Sequence, residues 1–599
     1  MADNANKFGI LSNKTGTWVD VKVDFGAKGN GVTNDTQAIQ NAINFAYNAG
    51  GGTVYIPPGT YYITSSILLK NNVTVIGAGI DVTVIDLKGN TNVVAFATPT
   101  PTITTLTQTN NIKVGDTINT INNNVQPGDF VVYKNTARFT AEWDGGSEIR
   151  PYYKKAEMFK VLSATSTSIT FTEGASLSLP AATTNGVDTF TPNRNIRIGR
   201  MTIRRNRDTT SYSVSIHIRY TDGAGIFDIK SINTNDKGVC IDRSRHVTVQ
   251  DYFCEGGTPN LGLNYGVAVI DGSKHVYLNN IHTKNCRHGI AGGGTGYAVP
   301  IGVVANGIFI TSSQGHSLDT HGNCMNFMYM NGKVDSGISM SGIGHTAQNI
   351  VSSGGSCQIN EGGTDIIYEN LTFLTCSRFY SNNCVMRILF KNVKLNFLNF
   401  TVNALRTGSN NVTFEDCRFV NMSFVNAANS NATADTTLPN DGVSHCGIML
   451  RDCYRVKRCY IQGFAIGFYV NGADCSVEDV TLENCGWDSA RTPFNCAFQV
   501  SLNGERSFIN NIKIAFYKSG LDNNGRIIRL DSNGNGTGKQ ITISNVKYAK
   551  NHVNDYYYGM YAVSNFTEIF LYNIRATFRG TSDVSCTGKF IYNTVVADN

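Results

Sequence analysis

The sequence contains no apolar run that approaches the ~20 residues needed to cross a bilayer, which excludes a membrane-spanning helix. Its first residues, Met-Ala-Asp-Asn-Ala-Asn-Lys, lack the apolar core of a signal peptide, so we expect no export through a secretory pathway. The net charge of +6 is weak for 599 residues. It would not repel a polyanion, and it gives no evidence of nucleic-acid binding. We therefore expect neither a membrane nor a nucleic acid as a partner.

Cysteine is absent from the first part of the chain, and all 15 cysteines lie at or after Cys240. Their number is odd, and no two of them form a Cys-x-x-Cys pair. This pattern argues against disulfides and against a zinc site, and it predicts small buried side chains instead. We therefore expect the protein to fold in a reducing cytoplasm with its cysteines reduced.

Proline and charged residues are also scarce. The sequence has 12 prolines, and charged residues make up 16% of it, whereas glycine contributes 60 residues. With abundant Asn and Thr, this composition is typical of an all-β protein rich in turns. Short apolar strands recur every few tens of residues, beginning near Gly238, Gly266, Gly307 and Gly337. Because these strands alternate with a period of two, the repeat predicts a β-solenoid and argues against helical repeats.

One copy of the repeat departs from the pattern. In an ordinary copy, Val247 and Val249 occupy the positions that fill the inside of a coil. In another copy we align Ser317 and Asp319 with those positions, followed in step by His321. An unpaired carboxylate in an apolar interior costs several kcal/mol, so this strand either faces solvent or pairs its polar groups with one another. Both outcomes place a carboxylate and imidazoles together.

The start of the chain carries a second distinctive pattern. Asp35 or Thr36 can cap a helix, and the Gly50-Gly51-Gly52 run ends it. The predicted apolar face of this helix consists of Ile39, Ala42, Ile43 and Ala46.

Three motifs in this region resemble the opening of the pectate-lyase-like right-handed β-helix superfamily. They are Asp24-Phe-Gly-Ala-Lys-Gly-Asn-Gly, Asn34-Asp-Thr-Gln-Ala-Ile and Gly51-Gly-Thr-Val-Tyr-Ile-Pro-Pro-Gly-Thr60-Tyr. The resemblance implies an all-β, right-handed parallel β-helix. It does not specify a reaction, because this fold carries lyases, hydrolases, transferases and non-catalytic tail spikes.

The repeat of short strands is interrupted within the chain and later resumes. This pattern predicts five segments. They are an N-terminal attachment arm (1–19), a β-helix opening with a capping helix (20–94), an inserted small β domain (95–194), the main β-helix (195–500) and a β-rich C-terminal cap with a trimerisation region (501–599). Aromatic and charged residues at 142–155 favour an ordinary aromatic-anchored loop, with a sugar- or phosphate-binding surface as the alternative.

This layout resembles a bacteriophage tail spike, and it is similar to the pre-neck appendages of small tailed phages of Gram-positive hosts. The resemblance implies a homotrimer in the virion that binds other tail proteins through its arm. It also implies folding in the host cytoplasm and extracellular action at the host surface. The expected target is a cell-wall glycopolymer, above all wall teichoic acid.

Hydrolysis of a glycerol- or ribitol-phosphate polymer needs a base, an acid and cationic or metal stabilisation of the phosphoryl oxygens. The predicted catalytic residues are His316, Asp319, His321 and His345, and the predicted substrate-binding residues are Arg287, His288, Gln348 and Glu361. A divalent cation such as Ca²⁺ would bind Asp319 and Glu361. His246 and His275, which we align with the same corner as His316, are predicted to be structural.

Three other functions remain open at this point. Paired carboxylates, such as Asp319 with Glu361, could hydrolyse the glycosidic bonds of a capsular polysaccharide. Polysaccharide lysis requires calcium or arginine to neutralise a substrate carboxylate, together with a lysine or arginine base, and the sequence offers no matching cluster. Receptor binding in grooves between chains requires none of these residues.

Overall fold

The computed structural model describes most of the chain between residues 17 and 596. The described residues are 17–87, 94–139, 153–181, 186–205, 214–257, 263–381, 386–397, 410–422, 446–450, 452–464, 466–485, 496–501, 504–515, 526–531, 540–549, 558–564, 568–575, 584–586 and 589–596. The predicted attachment arm therefore lies almost entirely outside the described residues. The described residues form two compact units, one ending at residue 332 and the other beginning at residue 333.

The first unit contains one helix, α1 (Thr36–Asn48), and a long series of short strands. The strands are β1 (Thr17–Asp20), β2 (Asn30–Asn34), β3 (Gly52–Ile56), β4 (Gly59–Ile63), β5 (Ile67–Leu68), β6 (Val73–Gly77), β7 (Thr83–Leu87), β8 (Val94–Ala97), β9 (Thr104–Thr107), β10 (Ile118–Thr120), β11 (Phe130–Arg138), β12 (Lys154–Thr165), β13 (Ser168–Phe171), β14 (Gly186–Phe190), β15 (Asn193–Arg205), β16 (Val214–Arg219), β17 (Thr221–Thr234), β18 (Lys237–Asp242), β19 (Arg245–Gly256), β20 (Tyr265–Ile270), β21 (Lys274–Lys284), β22 (His288–Gly293), β23 (Ile301–Thr311), β24 (Leu318–Thr320) and β25 (Met325–Val334).

Two series of parallel strands build the coils that carry the candidate site. One series runs β15, β17, β19, β21, β23, and the other runs β16, β18, β20, β22, β24. Successive members of each series come from successive coils, so each coil stacks on the one before it, as in a solenoid. The predicted right-handed parallel β-helix is confirmed.

Strands β9 to β14 form a separate antiparallel sheet in the order β10, β13, β12, β11, β14, β9. This sheet occupies residues 104–190, inside the span in which we predicted an inserted β domain. Its buried Phe130, Val132 and Met158 pack in one cluster with Tyr220 and Ala298 of the coils. The insertion therefore shares a hydrophobic core with the β-helix that carries it.

The second unit also consists of strands. They are β26 (Gly337–Ile343), β27 (Thr346–Ser352), β28 (Ser356–Cys376), β29 (Arg378–Ser381), β30 (Met386–Lys391), β31 (Lys394–Phe397), β32 (Asn410–Glu415), β33 (Arg418–Asn421), β34 (Cys446–Leu450), β35 (Arg455–Lys457), β36 (Tyr460–Gln462), β37 (Ile466–Val470), β38 (Ser476–Glu483), β39 (Cys496–Ser501), β40 (Ser507–Ala515), β41 (Arg526–Asp531), β42 (Gln540–Ala549), β43 (Tyr558–Ser564), β44 (Glu568–Arg575), β45 (Val584–Cys586) and β46 (Lys589–Val596). Parallel pairing continues to the last of them, as in the series β38, β40, β42, β44, β46. No helix among the described residues is long and apolar enough to span a membrane.

The corners of the coils explain the abundance of Asn and Gly. Asp228, Asp251, Asn280 and Gly307 stand at equivalent positions of successive coils, and all four have left-handed backbone conformations with φ between 51° and 68°. Gly, Asn and Asp adopt this conformation at the lowest cost. The side chains also bond along the corner, since Asn280 Nδ2 donates to Asp251 Oδ1 at 2.7 Å.

Helix α1 covers its coils with the face predicted from the sequence. The four residues of that face are all buried: Ile39, Ala42, Ile43 and Ala46. Asp35 stands at the N-cap position, but its side chain does not cap the helix. Its carboxylate instead accepts hydrogen bonds from the backbone N–H groups of Lys28 and Gly29, at 2.7 and 2.9 Å. It therefore fixes the glycine-rich turn that precedes the helix.

The cysteines that the structure describes are free thiols, and all except Cys453 are buried. The prediction of small buried cysteine side chains is confirmed for the described cysteines other than Cys453. Cys384, Cys446 and Cys586 lie outside the described side chains.

The alignment of His316 with His246 and His275 is wrong. His246 and His275 are the second residues of the neighbouring parallel strands β19 and β21 and stack on each other, and the next residue in that register is Gly302. His316 precedes β24, which belongs to the other series of strands. The two series have similar short apolar patterns, so a sequence alignment can exchange one for the other. Val247 and Val249 are buried as predicted.

Buried ion pairs hold the inserted domain against the coils. Lys274 of β21 contacts Glu157 Oε1 at 2.7 Å and Glu173 Oε1 at 2.9 Å, and the Lys274 and Glu157 side chains are only 2% and 0% exposed. Arg245 and His275 contact the same Glu173 carboxylate at 2.6 and 2.9 Å. Burial opposes ionisation of Glu173, but the hydrogen bond from His275 and the charges of Lys274 and Arg245 outweigh it and hold its pKa well below the ordinary value. His275 therefore has a structural partner.

We expect the substitution Lys274→Met to loosen the inserted domain, because it leaves the Glu157 carboxylate buried without its cation. Removing one partner of a buried pair typically costs ~3–5 kcal/mol. Calorimetry should show a lower apparent Tm for the first unfolding transition. The matched control is Lys230→Met, which removes a more exposed ion pair with Asp81 and should cost less than ~1 kcal/mol. Equal Tm values for the two variants would contradict this account of the domain contact.

Candidate functional site

Asp319 lies in the middle of the short strand β24, on the side of the sheet that faces away from the core. Its neighbour Leu318 is fully buried and lies in register with the buried Ile290 of β22, whereas Asp319 lies in register with Ala291. The Asp319 side chain is only 12% exposed. A carboxylate with so little access to water needs compensating partners to remain ionised.

Imidazoles provide this compensation. His321 Nε2 lies 3.2 Å from Asp319 Oδ2, and His288 Nε2 lies 3.7 Å from the same oxygen. The second distance is too long for a hydrogen bond, so that contact is electrostatic. His288 is fixed by its other nitrogen, since Nδ1 is 2.6 Å from the backbone oxygen of His316. Of the two expected outcomes for this strand, the structure shows the mutual pairing of its polar groups.

The imidazoles decide the protonation state of Asp319. Burial alone would raise the pKa of its carboxyl group. The charge of His288, the hydrogen bond and charge of His321 and the charge of His316 outweigh burial, so the pKa of Asp319 lies well below its ordinary value. Burial lowers the pKa of His288 despite the opposing charge of Asp319. The cluster therefore combines a carboxylate whose pKa is lowered with the imidazoles of His288, His316 and His321 around it.

Tyr153, from the inserted domain, completes the cluster. Its hydroxyl lies 2.7 Å from His321 Nδ1, and its ring is fully buried. His321 is thus held at both nitrogens, by Asp319 on one side and by Tyr153 on the other. A buried phenol cannot reach a polymer, so Tyr153 is a positioning residue for His321. Other polar residues of the segment 142–152 lie outside the described residues.

Small residues make room for two of the imidazoles. A Cβ atom at Gly315 would lie 3.0 Å from His288 Cε1, and a Cβ atom at Gly293 would lie 3.1 Å from His321 Cγ. Gly293 also has φ +154°, a conformation that other residues rarely adopt. The glycines around β22 and β24 therefore contribute to the geometry of the site as well as to the turns.

Arg287 and His288 are next to each other in the chain and both contact Tyr265. Arg287 Nη1 donates to Tyr265 Oη at 3.0 Å, and the His288 ring stacks on the Tyr265 ring with centroids 5.5 Å apart. The structure thus brings Arg287 and His288 together with three predicted catalytic residues: His316, Asp319 and His321. Ser317, also singled out from the sequence, is fully buried, with its Oγ 3.2 Å from Ser313 Oγ.

The other predicted site residues belong to the second unit. His345 is fully buried, with Nε2 2.7 Å from the backbone oxygen of Ser341, and burial lowers its pKa to about 4. Gln348 Nε2 donates to Glu369 Oε2 at 3.2 Å. Glu361 belongs to β28, but its side chain lies outside the described residues. Roles for these three residues in function stay predictions.

Among the residues that the structure describes, no group of three or more His, Cys, Asp or Glu side chains is arranged to hold a metal ion. Binding of a divalent cation by Asp319 and Glu361 stays a prediction.

Tyr153, Tyr265 and Lys237 are neighbours of the predicted residues that were not predicted from the sequence. Tyr153 is separated from His321 by 168 positions, and no pattern within one coil could indicate that contact. Tyr265 and Lys237 were detectable in principle, because they begin β20 and β18 in register with His288. Finding them required the correct alignment of the strands.

Comparisons with known proteins agree with the fold. Residues 18–141 match the family described as rhamnogalacturonase A/epimerase, pectate lyase-like. Alginate lyase 7 of Azotobacter vinelandii is 51% identical over 71 residues, which cover 11% of this chain and 8% of that protein. The pre-neck appendage protein of Bacillus phage B103 is 28% identical over 273 residues, which cover 45% of this chain and 26% of that protein. The chain thus spans less than a third of either relative.

A solved structure extends the comparison to most of the chain. The tailspike protein gp49 of Pseudomonas phage LKA1 superposes with a TM-score of 0.54 and 14% sequence identity, covering 92% of this chain and 84% of that protein. Identity this low establishes a shared fold alone. The chain is therefore a parallel β-helix protein whose opening matches the pectate lyase-like family and whose sequence resembles a phage pre-neck appendage protein.

Proposed function

We propose that this protein is a virion-associated phage appendage that binds a host cell-wall glycopolymer and hydrolyses the phosphodiester bonds of a wall teichoic acid. The observation that carries the proposal is the ionised, nearly buried Asp319 with imidazoles around it. The similarity to a pre-neck appendage protein of a Bacillus phage supports a tail location and a Gram-positive host. The shared fold with a tailspike supports the same setting.

In the proposed reaction, the residues of the cluster have separate roles in proton transfer and charge stabilisation. Water attacks phosphorus, the bond to the leaving polyol oxygen breaks, one imidazole accepts the proton of water and another donates a proton to the leaving oxygen. His316 and His321 are partly exposed, whereas His288 is buried. Both nitrogens of His321 are already bonded, so His321 exchanges a proton with the polymer only when Nε2 leaves Asp319 Oδ2. Asp319 stabilises the imidazolium that forms, because its carboxylate remains ionised.

Paired-carboxylate glycoside hydrolysis receives less support from the cluster. That mechanism requires a second carboxyl group with a raised pKa opposite the first. The partners that the structure shows around the Asp319 carboxylate are imidazoles. Product analysis distinguishes the alternatives: phosphomonoesters indicate phosphodiester hydrolysis, reducing ends indicate glycoside hydrolysis, and unsaturated products indicate lysis.

The first prediction from this proposed function concerns Asp319→Asn, which keeps the size of the side chain and removes its charge. We expect the variant to fold, and we expect its turnover of purified wall teichoic acid to fall ~100-fold or more, the usual effect of disabling acid–base catalysis. Release of phosphomonoester measures turnover, and circular dichroism checks folding. A folded variant with normal turnover would refute the site. Wild-type protein that degrades neither teichoic acid nor capsular polysaccharide would favour a receptor-binding spike.

The second prediction concerns Tyr153→Phe, which removes only the hydroxyl that holds His321 Nδ1. A misplaced catalytic group lowers the turnover rate but leaves substrate binding unchanged. We therefore expect kcat to fall ~10–100-fold, with KM within about twofold of the wild-type value. The ¹⁵N resonances of His321 should shift as well, since its hydrogen bond is lost. Tyr133→Phe is a suitable control, because that hydroxyl bonds Asn119 within the insertion. A KM effect alone would contradict the positioning role.

The third prediction concerns assembly. We infer a homotrimer from the resemblance to tail spikes, and each unit has exposed aromatic side chains on its strands that suit contacts with sister chains. These side chains are Tyr277, Phe309, Phe508 and Tyr572, which are 38–52% exposed. Sedimentation equilibrium should give three times the mass of the chain. A monomer at micromolar concentration would count decisively against this assembly.

A further inference from the structure

Three side chains beside the Asp319 cluster form a continuous patch that the proposed proton transfers do not use. Lys237 and Tyr265 are the first residues of β18 and β20, and they lie in register with His288, the first residue of β22. Arg287 immediately precedes His288. Lys237, Tyr265 and Arg287 are all partly exposed. Neighbouring coils are about 4.8 Å apart, so the patch extends across two coils from the cluster.

The patch places cations around one aromatic ring. Lys237 Nζ lies 5.9 Å from the centroid of the Tyr265 ring, and Arg287 Cζ lies 5.8 Å from it. These distances fall within the range of cation–π contacts. Arg287 is also anchored by its hydrogen bond to the Tyr265 hydroxyl, and the His288 ring supports the tyrosine from the next coil. The guanidinium and the ring therefore keep fixed positions relative to the cluster.

The charges of the patch favour an anion. Lys237 is paired with Asp236 at 2.6 Å, so this contact compensates part of its charge. The charged side chains Lys237, Arg287 and Asp236 together carry a net charge of +1 (two positive charges minus one negative). Arg287 is the cation nearest in sequence to the cluster, and guanidinium geometry matches phosphate and carboxylate oxygens. The tyrosine ring provides an apolar surface for the carbon atoms of a sugar or polyol.

We propose that Lys237, Tyr265 and Arg287 form a binding subsite for the anionic group of a polymer repeat that lies next to the reacting one. The substrate is then a polyanionic glycopolymer that runs along the stack of coils, with successive repeats opposite successive strands. This assignment rests on the proposed function for the position of the reaction at Asp319. The anion is a phosphate or a carboxylate, since a guanidinium binds either.

Binding measurements test the subsite without requiring turnover. The parent is the Asp319→Asn protein, and the probes are purified glycerol-phosphate teichoic acid, polygalacturonate and neutral dextran. We expect the parent to bind one anionic polymer, and we expect Arg287→Gln to weaken that binding at least ~10-fold and Lys237→Gln to weaken it less. Arg287→Lys should recover part of the affinity. Lys230→Gln, on β17 and paired with Asp81, is the matched control and should bind within about twofold of the parent.

Each outcome of these measurements decides the assignment. Arginine-dependent binding of teichoic acid identifies a phosphate ligand, and the same result with polygalacturonate identifies a carboxylate ligand. The subsite is refuted if Arg287→Gln binds as tightly as the parent, if dextran binds with the same dependence on Arg287, or if neither anionic polymer binds. A parent that still degrades the polymer, while Arg287→Gln loses binding, would refute the proposed reaction and leave the subsite intact.

Discussion

The candidate site depends on one electrostatic constraint, the ionised Asp319 carboxylate on an almost water-free face of a parallel sheet. Burial alone would favour its protonated form, yet the neighbouring imidazoles keep its pKa well below the ordinary value. The parallel register makes this possible, because stacking β22 against β24 brings His288 next to a strand that is distant in sequence. His321, two residues beyond Asp319, provides the closest contact. The β-helix therefore brings His288 and Asp319 together by stacking.

The inserted domain supports the site in two ways: it is tied to the coils by ion pairs, and it holds His321 in position. Its buried Glu157, together with Glu173, accepts the ammonium group of Lys274, which ties the insertion to the coils. Its Tyr153 then approaches the outer side of His321 and fixes the nitrogen that Asp319 does not contact. Because the second contact requires the insertion to stay in place, the ion pairs are a structural requirement of the site even though none of them touches it.

Much of the architecture could be predicted from the sequence, because a coil is a local pattern. The buried face of α1, the valines inside β19 and the Asn and Gly corners all follow from periodicity and backbone preference. Asp319 and His321 could be singled out because they place a carboxylate and an imidazole two residues apart in a short strand, but the inside position that the sequence assigned to Asp319 is filled by Leu318. The alignment of His316 with His246 failed because two strands of each coil have similar patterns. The contact of Tyr153 could not be predicted, because it depends on how a separately folded sheet packs on the coils.

The central claim is that the polymer is cleaved beside Asp319, on the outer face of β24. A crystal structure of the Asp319→Asn protein with a bound oligomer of the degraded polymer tests this claim most directly. The account predicts that the scissile linkage lies within hydrogen-bond distance of the imidazoles of His316 or His321. An oligomer bound elsewhere, with these imidazoles out of reach of the linkage, would contradict it.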